Sequence, residues 1–159
     1  MSLDSDISLL SRISLFSELN AEQVRLLAFS AVHREFRVDE ALFREGEEAP
    51  SGFVVTSGEV VMSRGEGKQK KILATCEPGC LIGEIALFIN TKRPATAIAT
   101  RLSDVMEINR SQVVRMLNEY PHVALRLRAA LTERLGATMT ELGRVKLALD
   151  RKDRPPSGG

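Results

Sequence analysis

The sequence predicts a mainly β domain with flanking α-helices, namely an antiparallel β-roll or jelly roll of the double-stranded β-helix type. Three observations lead to this prediction. A helical hydrophobic period fills the first thirty or so residues, short β-type runs separated by turn residues fill 33–109, and a helical period returns after 109. Many short strands at regular turn spacing are typical of antiparallel barrels and jelly rolls.

The composition is that of a single globular domain. The chain has 159 residues, of which 43% are hydrophobic and 27% charged, which is enough apolar material for a genuine core. The net charge of +1 indicates no polyanionic partner. No run approaches the roughly 20 apolar residues of a membrane span, and Asp4, Asp6 and Arg12 do not fit a signal peptide. We therefore expect a cytoplasmic protein with no membrane partner.

Residues 1–32 are predicted to form the N-terminal helices. Apolar side chains recur at three- and four-residue spacing between Leu9 and Ala31. Asn20, followed by Gln23 at the N3 position, predicts the start of a second helix. Residues 33–109 form the predicted β-roll. Its strands are expected at Arg34–Val38, Ala41–Arg44, Gly52–Ser57, Glu59–Arg64, Lys70–Cys76, Ala95–Arg101 and Val105–Ile108.

Residues 110–150 are predicted to form C-terminal helices, which complete one domain over 1–150. Ser111 is expected to cap a helix that runs to Glu119. From Pro121 a single apolar stripe predicts a helix of about 28 residues, or about 42 Å. A roll of this size cannot cover the whole stripe, so we expect a homodimer through this helix; a fold-back of its last turns is the alternative. Residues 151–159 are predicted to be a disordered tail.

The segment with the strongest functional signal is 81–97. Gly83-Glu84 opens a predicted short helix, Gly83–Ile89, and Arg93 follows nine residues after Glu84. A carboxylate accepts hydrogen bonds from sugar hydroxyls, a guanidinium grips a phosphate through a bidentate fork, and free amides at a helix start favour an anion. The alternatives are that Glu84 merely caps its turn, or that Glu84 and Arg93 pair with each other in an empty pocket.

No catalytic or metal site is expected. His33 and His122 lack the Ser or Cys neighbours that nucleophilic catalysis requires. Cys76 and Cys80 flank a turn, but two cysteines and two histidines are too few for a convincing metal site. The chain also has no Walker-type loop. We expect a binding protein with no cofactor, rather than an enzyme.

Several short motifs follow one another in a characteristic order. They are Phe43-Arg44-Glu45-Gly46, the run from Phe53 to Val60, Pro78-Gly79, Gly83-Glu84-Ile85-Ala86-Leu87, and Arg93-Pro94-Ala95-Thr96-Ala97. In this order, between N-terminal helices and a long C-terminal helix, they closely resemble the cyclic nucleotide-binding domain family, which includes the effector half of Crp/Fnr-type bacterial regulators. The resemblance covers about residues 9–150.

The resemblance implies a pocket for a cyclic nucleotide. Glu84 matches the carboxylate that accepts from the ribose 2′-hydroxyl, and Arg93 matches the arginine that pairs with the cyclic phosphate. The N–H of Ala86 is expected to face the phosphate. The full set of implied binding residues is Gly83, Glu84, Ile85, Ala86, Arg93, Ala95 and Thr96. The purine-contacting residue is not assigned, and Leu127, Arg128 and Leu131 are the candidates.

Pro94 departs from the family pattern. Members usually place Ser, Thr or Ala after the arginine, and the N–H of that residue donates to the phosphate, whereas proline has no N–H. The loss of one charge-assisted hydrogen bond costs about 1.5–3 kcal/mol. Members selective for cGMP use a Thr hydroxyl at this position, so cAMP is the expected ligand if a cyclic nucleotide binds. The alternative is an interaction or dimerisation domain of the same fold whose pocket no longer binds a nucleotide.

Crp/Fnr regulators also carry a helix-turn-helix domain after the long helix. Residues 151–159 are too short to form such a unit. We therefore expect no DNA binding by this chain alone.

Overall fold

The computed structural model describes residues 2–130 and 132–133, and it arranges them in three layers. Helices α1 (Leu3–Ser11), α2 (Ala21–Ser30) and α3 (Arg110–Glu119) cover one face of a first sheet, whose other face packs against a second sheet. Short 3-10 helices lie at Ser14–Glu18, Gly67–Gln69 and Ile85–Leu87. The strands are β1 (Val32–Phe36), β2 (Ala41–Phe43), β3 (Ser51–Ser57), β4 (Val60–Arg64), β5 (Lys71–Cys76), β6 (Leu81–Ile82), β7 (Thr96–Ala99) and β8 (Ser103–Asn109).

All strand pairs in the two sheets are antiparallel. The first sheet has the order β1-β8-β3-β6 and the second has the order β2-β7-β4-β5. This architecture confirms the predicted antiparallel roll. Strand β6 was missing from the prediction because a two-residue strand is too short to show an alternating pattern.

The alternation of side chains along β3 divides the core in two. Val54 packs with Met106 and the helices on one face, while Phe53 and Val55 pack on the other face against the second sheet. Successive side chains of a strand point to opposite faces. Because both faces of the first sheet are covered, β3 is apolar on both sides, and Phe53, Val54 and Val55 are at most 1% exposed.

The N-terminal helix start at Asn20 is confirmed. The side chain of Asn20 accepts from the backbone N–H of Gln23 at 2.9 Å, and the side chain of Gln23 accepts from the N–H of Asn20 at 2.9 Å. An interaction that the sequence did not predict holds this helical layer to β1. The Nε2 atom of His33 lies 2.8 Å from the Oδ2 atom of Asp6.

The C-terminal helices begin differently from the prediction. Asn109, not Ser111, occupies the N-cap position of α3, and its side chain makes no capping hydrogen bond. The chain turns into the helix here because the N–H of Arg110 donates to the carbonyl oxygen of Pro50 at 2.9 Å. Tyr120 ends α3 as predicted.

A further helix spans 121–130 and continues at 132–133. The rest of the predicted long helix, the expected dimer contact and the predicted tail lie outside the described residues. Within the described part of the chain, no helix has the length and apolar character needed to cross a membrane.

Strand β5 forms one edge of the second sheet. It pairs with β4 on one side only. Ile72 and Leu73 on this strand are 65% and 47% exposed, and Lys70 and Lys71 stand at its start.

Candidate functional site

The predicted Gly83–Ile89 helix is shorter than expected. Its ordered core is the 3-10 helix Ile85–Leu87, in which Ala86 N donates to the Gly83 carbonyl and Leu87 N donates to the Glu84 carbonyl. Gly83 has a positive φ of 79° and turns the chain out of β6 into this helix. A residue with a Cβ adopts such a conformation only with strain.

Four of the predicted site residues lie in this turn, and the other three follow it in the chain: Gly83, Glu84, Ile85 and Ala86, then Arg93, Ala95 and Thr96. Ala86 and Ala95 are 2% exposed and Arg93 is 4% exposed, whereas Gly83, Glu84, Ile85 and Thr96 are half-buried. The hydroxyl of Thr96 accepts from the backbone N–H of Glu45 at 2.9 Å. Because the N–H of Ala86 already donates to Gly83, its expected contact with a phosphate stays a prediction that requires this bond to be exchanged.

The backbone of Arg93 is fixed by the loop between β2 and β3. Its N–H donates to the carbonyl of Glu47 at 2.7 Å, and its carbonyl accepts from the N–H of Gly46 at 2.9 Å. An isolated antiparallel bridge joins Glu48 to Lys92 beside it. Both backbone polar groups of Arg93 are therefore hydrogen-bonded, and this fixes the point from which its side chain extends.

The guanidinium of Arg93 lies between the two sheets. It stacks on Phe43 of the second sheet, 4.2 Å from the ring centroid, and lies 5.4 Å from the ring centroid of Phe53 in the first sheet. Its Nη1 donates to the carbonyl of Ser51 at 2.7 Å, and its Nη2 donates to the Ser51 hydroxyl at 3.2 Å. Its Nε is buried and has no hydrogen-bond partner among the described residues.

Burial lowers the pKa of Arg93, and the negative charges of Glu107 and Glu47 oppose that shift. Arginine nevertheless remains protonated in proteins because its intrinsic pKa is so high. The site thus contains a buried cation with an unused donor. A buried donor without an acceptor carries a desolvation cost of about 1–3 kcal/mol, so this atom marks where an anion would be favoured.

Gly83 permits the close packing of the guanidinium. A Cβ atom built on Gly83 would lie 2.9 Å from Arg93 Nη1, which is closer than real Cβ contacts allow. The Gly83-Glu84 motif and Arg93, ten residues apart along the chain, are therefore in direct contact through the first residue of the motif.

Arg110 connects this region to α3. Its Nη1 lies 2.9 Å from the carbonyl oxygen of Ile89, 3.1 Å from that of Ala49 and 3.4 Å from that of Ala86. No sequence motif singled out Arg110 or Ser51. The only signal for Arg110 was a basic residue placed between a predicted strand and a predicted helix, a position that surface arginines commonly occupy.

Other candidate chemistry is not assembled in the described part of the chain. No group of three or more His, Cys, Asp or Glu side chains there could hold a metal ion. Cys76 is a buried free thiol and Cys80 is a half-buried one, consistent with the reading of Cys76 as a small apolar core residue.

Two antiparallel sheets, a helical layer and a buried arginine beside a Gly-Glu turn are the features that the described residues assemble. The sequence profile of the cyclic nucleotide-binding domain family matches residues 33–120, which is more than half of the chain. The protein belongs to this family.

Individual relatives agree with this assignment. The chain is 30% identical over 129 residues to the cyclic AMP receptor protein of Thermus thermophilus, and the match covers 80% of this chain and 60% of that protein. The N-terminal domain of a transcriptional regulator from Streptomyces coelicolor superposes with a TM-score of 0.75 at 31% identity, covering 84% of this chain and 94% of that one. The sensor domain of the regulator DNR from Pseudomonas aeruginosa gives 0.73 at 28% identity, covering 87% and 94%. These relatives are a receptor and transcriptional regulators, not enzymes.

The contact between Gly83 and Arg93 leads to a first prediction. Gly83→Ala adds the strain of a positive φ, about 1–2 kcal/mol. Its Cβ must also displace the guanidinium of Arg93, which Ser51 holds in place. Gly79→Ala is the matched control, because Gly79 has φ 94° but its nearest neighbour to a Cβ is at 3.8 Å. In urea denaturation, Gly83→Ala should lower the free energy of unfolding more than Gly79→Ala does. Equal losses would contradict the close packing.

Proposed function

We propose that this domain is a sensor that binds a cyclic nucleotide, cAMP rather than cGMP, between Glu84 and Arg93 and relays its occupancy to the C-terminal helices. In this proposal Arg93 pairs with the cyclic phosphate and Glu84 accepts from the ribose 2′-hydroxyl. The remaining contacts come from Gly83, Ile85, Ala86, Ala95 and Thr96. The domain acts by binding and has no catalytic step.

The observation that carries this proposal is the unpartnered Nε of Arg93. A buried cation is stable only when its donors are matched. Ser51 accepts from Nη1 and Nη2, and the ring of Phe43 stacks on the guanidinium. The Nε–H has no acceptor among the described residues, and because it is buried, a phosphate reaches it only when the residues that cover it move. A cyclic phosphodiester carries one negative charge and supplies acceptor oxygens of the kind that arginine binds most strongly.

The preference for cAMP rests on Pro94. This residue is exposed, directly follows Arg93, and offers neither an N–H nor a hydroxyl. It therefore lacks the side-chain donor that the resemblance assigns to recognition of guanine. The name of the Thermus relative, a cyclic AMP receptor protein, supports the same choice.

Arg110 supports a route from the site to the helices. Its side chain reaches the carbonyl of Ala86, the last residue of the 83–86 segment that the ligand would contact, and that of Ile89 three residues later, and its own backbone begins α3. If the N–H of Ala86 released the Gly83 carbonyl and donated to a phosphate instead, the backbone at Ala86 would move. The contact between the Ala86 carbonyl and Arg110 would then change. Helix α3 in turn leads through Tyr120 into the helix at 121–130.

We further infer a homodimer through the C-terminal helix and a location in the cytoplasm. The apolar stripe of the predicted long helix is the support for the dimer, which native mass spectrometry tests. The free thiols of Cys76 and Cys80 suit a reducing compartment. The chain spans 60% of the length of its Thermus relative, so an output beyond this domain is not assigned.

The second candidate is an interaction domain of the same fold that binds no nucleotide. Two observations favour it: Pro94 removes one phosphate donor, and the N–H of Ala86 is engaged with Gly83. Calorimetric titration with cAMP distinguishes the two candidates. The absence of both heat and a melting shift at millimolar cAMP would remove the sensor and leave the interaction domain.

The role of Arg93 gives a second prediction. Arg93→Gln should abolish the heat of cAMP binding, because it removes the charge that meets the phosphate. Lys92→Gln is the control, since it removes the same charge from the neighbouring, exposed residue and should keep affinity within about threefold, as expected for an exposed and screened charge. Thermal melts of both variants check that each is folded. Equal affinities for the two variants would show that Arg93 does not bind the phosphate.

Pro94 gives a third prediction. Pro94→Ala restores a backbone N–H next to Arg93, and a new charge-assisted hydrogen bond should raise the affinity for cAMP about ten- to a hundredfold. Pro78→Ala, at an exposed proline outside the proposed site, is the matched control and should leave the affinity unchanged. If Pro94→Ala binds no more tightly than the wild type, the missing donor is not what limits affinity.

Arg110 gives a fourth prediction, which concerns transmission. In the wild type, cAMP should change amide hydrogen exchange in α3 and at 121–130. Arg110→Met should reduce this change while cAMP still binds, because the variant cannot donate to the carbonyls of Ala86 and Ile89. Arg115→Met, an exposed position on α3, is the control. An undiminished exchange response in Arg110→Met would rule out this route.

A further inference from the structure

A row of polar side chains runs across the first sheet toward Arg93. The hydroxyl of Ser51 on β3 donates to the Oε2 atom of Glu107 on β8 at 2.6 Å. The Oε1 atom of Glu107 accepts from Nη1 of Arg34 on β1 at 3.3 Å. Three neighbouring strands therefore each contribute one member, and the row ends at the guanidinium of Arg93 through Ser51.

This row lies on the face of the sheet that packs against the second sheet. Ser51 shares the face of Phe53 because it precedes that residue by two, and Glu107 shares the face of Val105 for the same reason. Phe53 and Val105 belong to the cluster between the sheets. Ser51 is fully buried, the side chain of Glu107 is 18% exposed and that of Arg34 is 44% exposed. The row thus runs from solvent to the buried site.

The geometry of Arg93 shows what the row does. The carbonyl and the hydroxyl of one residue, Ser51, hold Nη1 and Nη2, which form the end edge of the guanidinium. Since the hydroxyl proton of Ser51 is directed to Glu107, a lone pair of the oxygen is left to face Nη2. With the end edge held in this way, Nε is the nitrogen of the guanidinium that has no acceptor among the described residues.

We propose that Ser51 and Glu107 are positioning residues, which hold the end edge of Arg93 and thereby leave its Nε–H as the donor for the phosphate. This inference rests on the proposed function. Glu107 acts through Ser51, because its carboxylate accepts from Ser51 with one oxygen and from Arg34 with the other. A glutamine has a single acceptor oxygen, so Glu107→Gln cannot keep both bonds.

The first test uses no nucleotide. In protein labelled with 15N-arginine, the signals of Arg93 are identified by their disappearance in Arg93→Lys. The wild type should show separate Nη1 and Nη2 signals, because the hydrogen bonds from these atoms to Ser51 slow rotation of the guanidinium. Ser51→Ala and Glu107→Gln should merge these signals. The controls Ser103→Ala and Asp104→Asn should not. Ser103 is an equally buried serine on β8, and Asp104 on β8 accepts from the hydroxyl of Ser57 at 3.0 Å, as Glu107 does from Ser51.

The second test is calorimetric titration with cAMP. Ser51→Ala should weaken binding about tenfold, as loss of one hydrogen bond to a charged group does, while Ser103→Ala should not. Glu107→Gln is assessed by the arginine signals alone, because removal of its charge also changes the attraction of the site for anions.

The outcomes separate the inference from the proposed function. Unchanged arginine signals and unchanged affinity in Ser51→Ala would overturn the inference while cAMP binding to the wild type upholds the sensor. No binding of cAMP to the wild type would overturn the proposed function and, with it, the presentation of Arg93 to a phosphate. In that case the arginine signals would still show whether Ser51 and Glu107 hold the end edge of Arg93.

Discussion

The structure around the site depends on a cation buried between two sheets. A charged group in such a place is tolerated only when its hydrogen-bond donors find acceptors. Much of the local architecture serves Arg93 in this way. The loop at 44–49 holds its backbone, Phe43 stacks on its guanidinium, and Ser51 binds its end edge. Gly83 leaves the space in which the guanidinium lies.

The same constraint explains why the site and the helical layer are connected. The segment that follows Gly83 contains a short 3-10 helix, Ile85–Leu87, whose backbone hydrogen bonds all lie between residues 83 and 89. It is held by its neighbours. Leu87 is fully buried in the cluster between the helices and the first sheet, and Arg110, at the start of α3, donates to the carbonyl oxygens of Ala86 and Ile89. A short segment that depends on contacts to a helix cannot change conformation without affecting that helix. This dependence gives a binding event a physical path to the C-terminal part of the chain.

The sequence predicted what local patterns encode. The cap at Asn20, the strand at Gly52–Ser57 and the Gly83-Glu84 and Arg93 motifs are short-range signals, and the first two were confirmed by the structure, as was the roll. What could not be predicted depends on long-range pairing. Ser51 meets Arg93 across 42 residues and Glu107 across 56, and nothing in a serine after a proline indicates either contact. The predicted cap at Ser111 was wrong because Asn109 and the bond from Arg110 to Pro50 begin the helix earlier. The predicted Gly83–Ile89 helix was too long because apolar composition does not distinguish one 3-10 turn from a longer helix.

Strand β5 carries a different consequence, for behaviour at high concentration. Its outer side offers backbone groups that no described strand pairs, next to the exposed Ile72 and Leu73. Such an edge is a template for sheet extension between molecules. Lys70 and Lys71 at its start give each copy of this edge two positive charges, and the repulsion between copies acts as a gatekeeper against intermolecular β-aggregation. Raised ionic strength screens that repulsion. We therefore expect intermolecular pairing at this edge to increase with salt concentration.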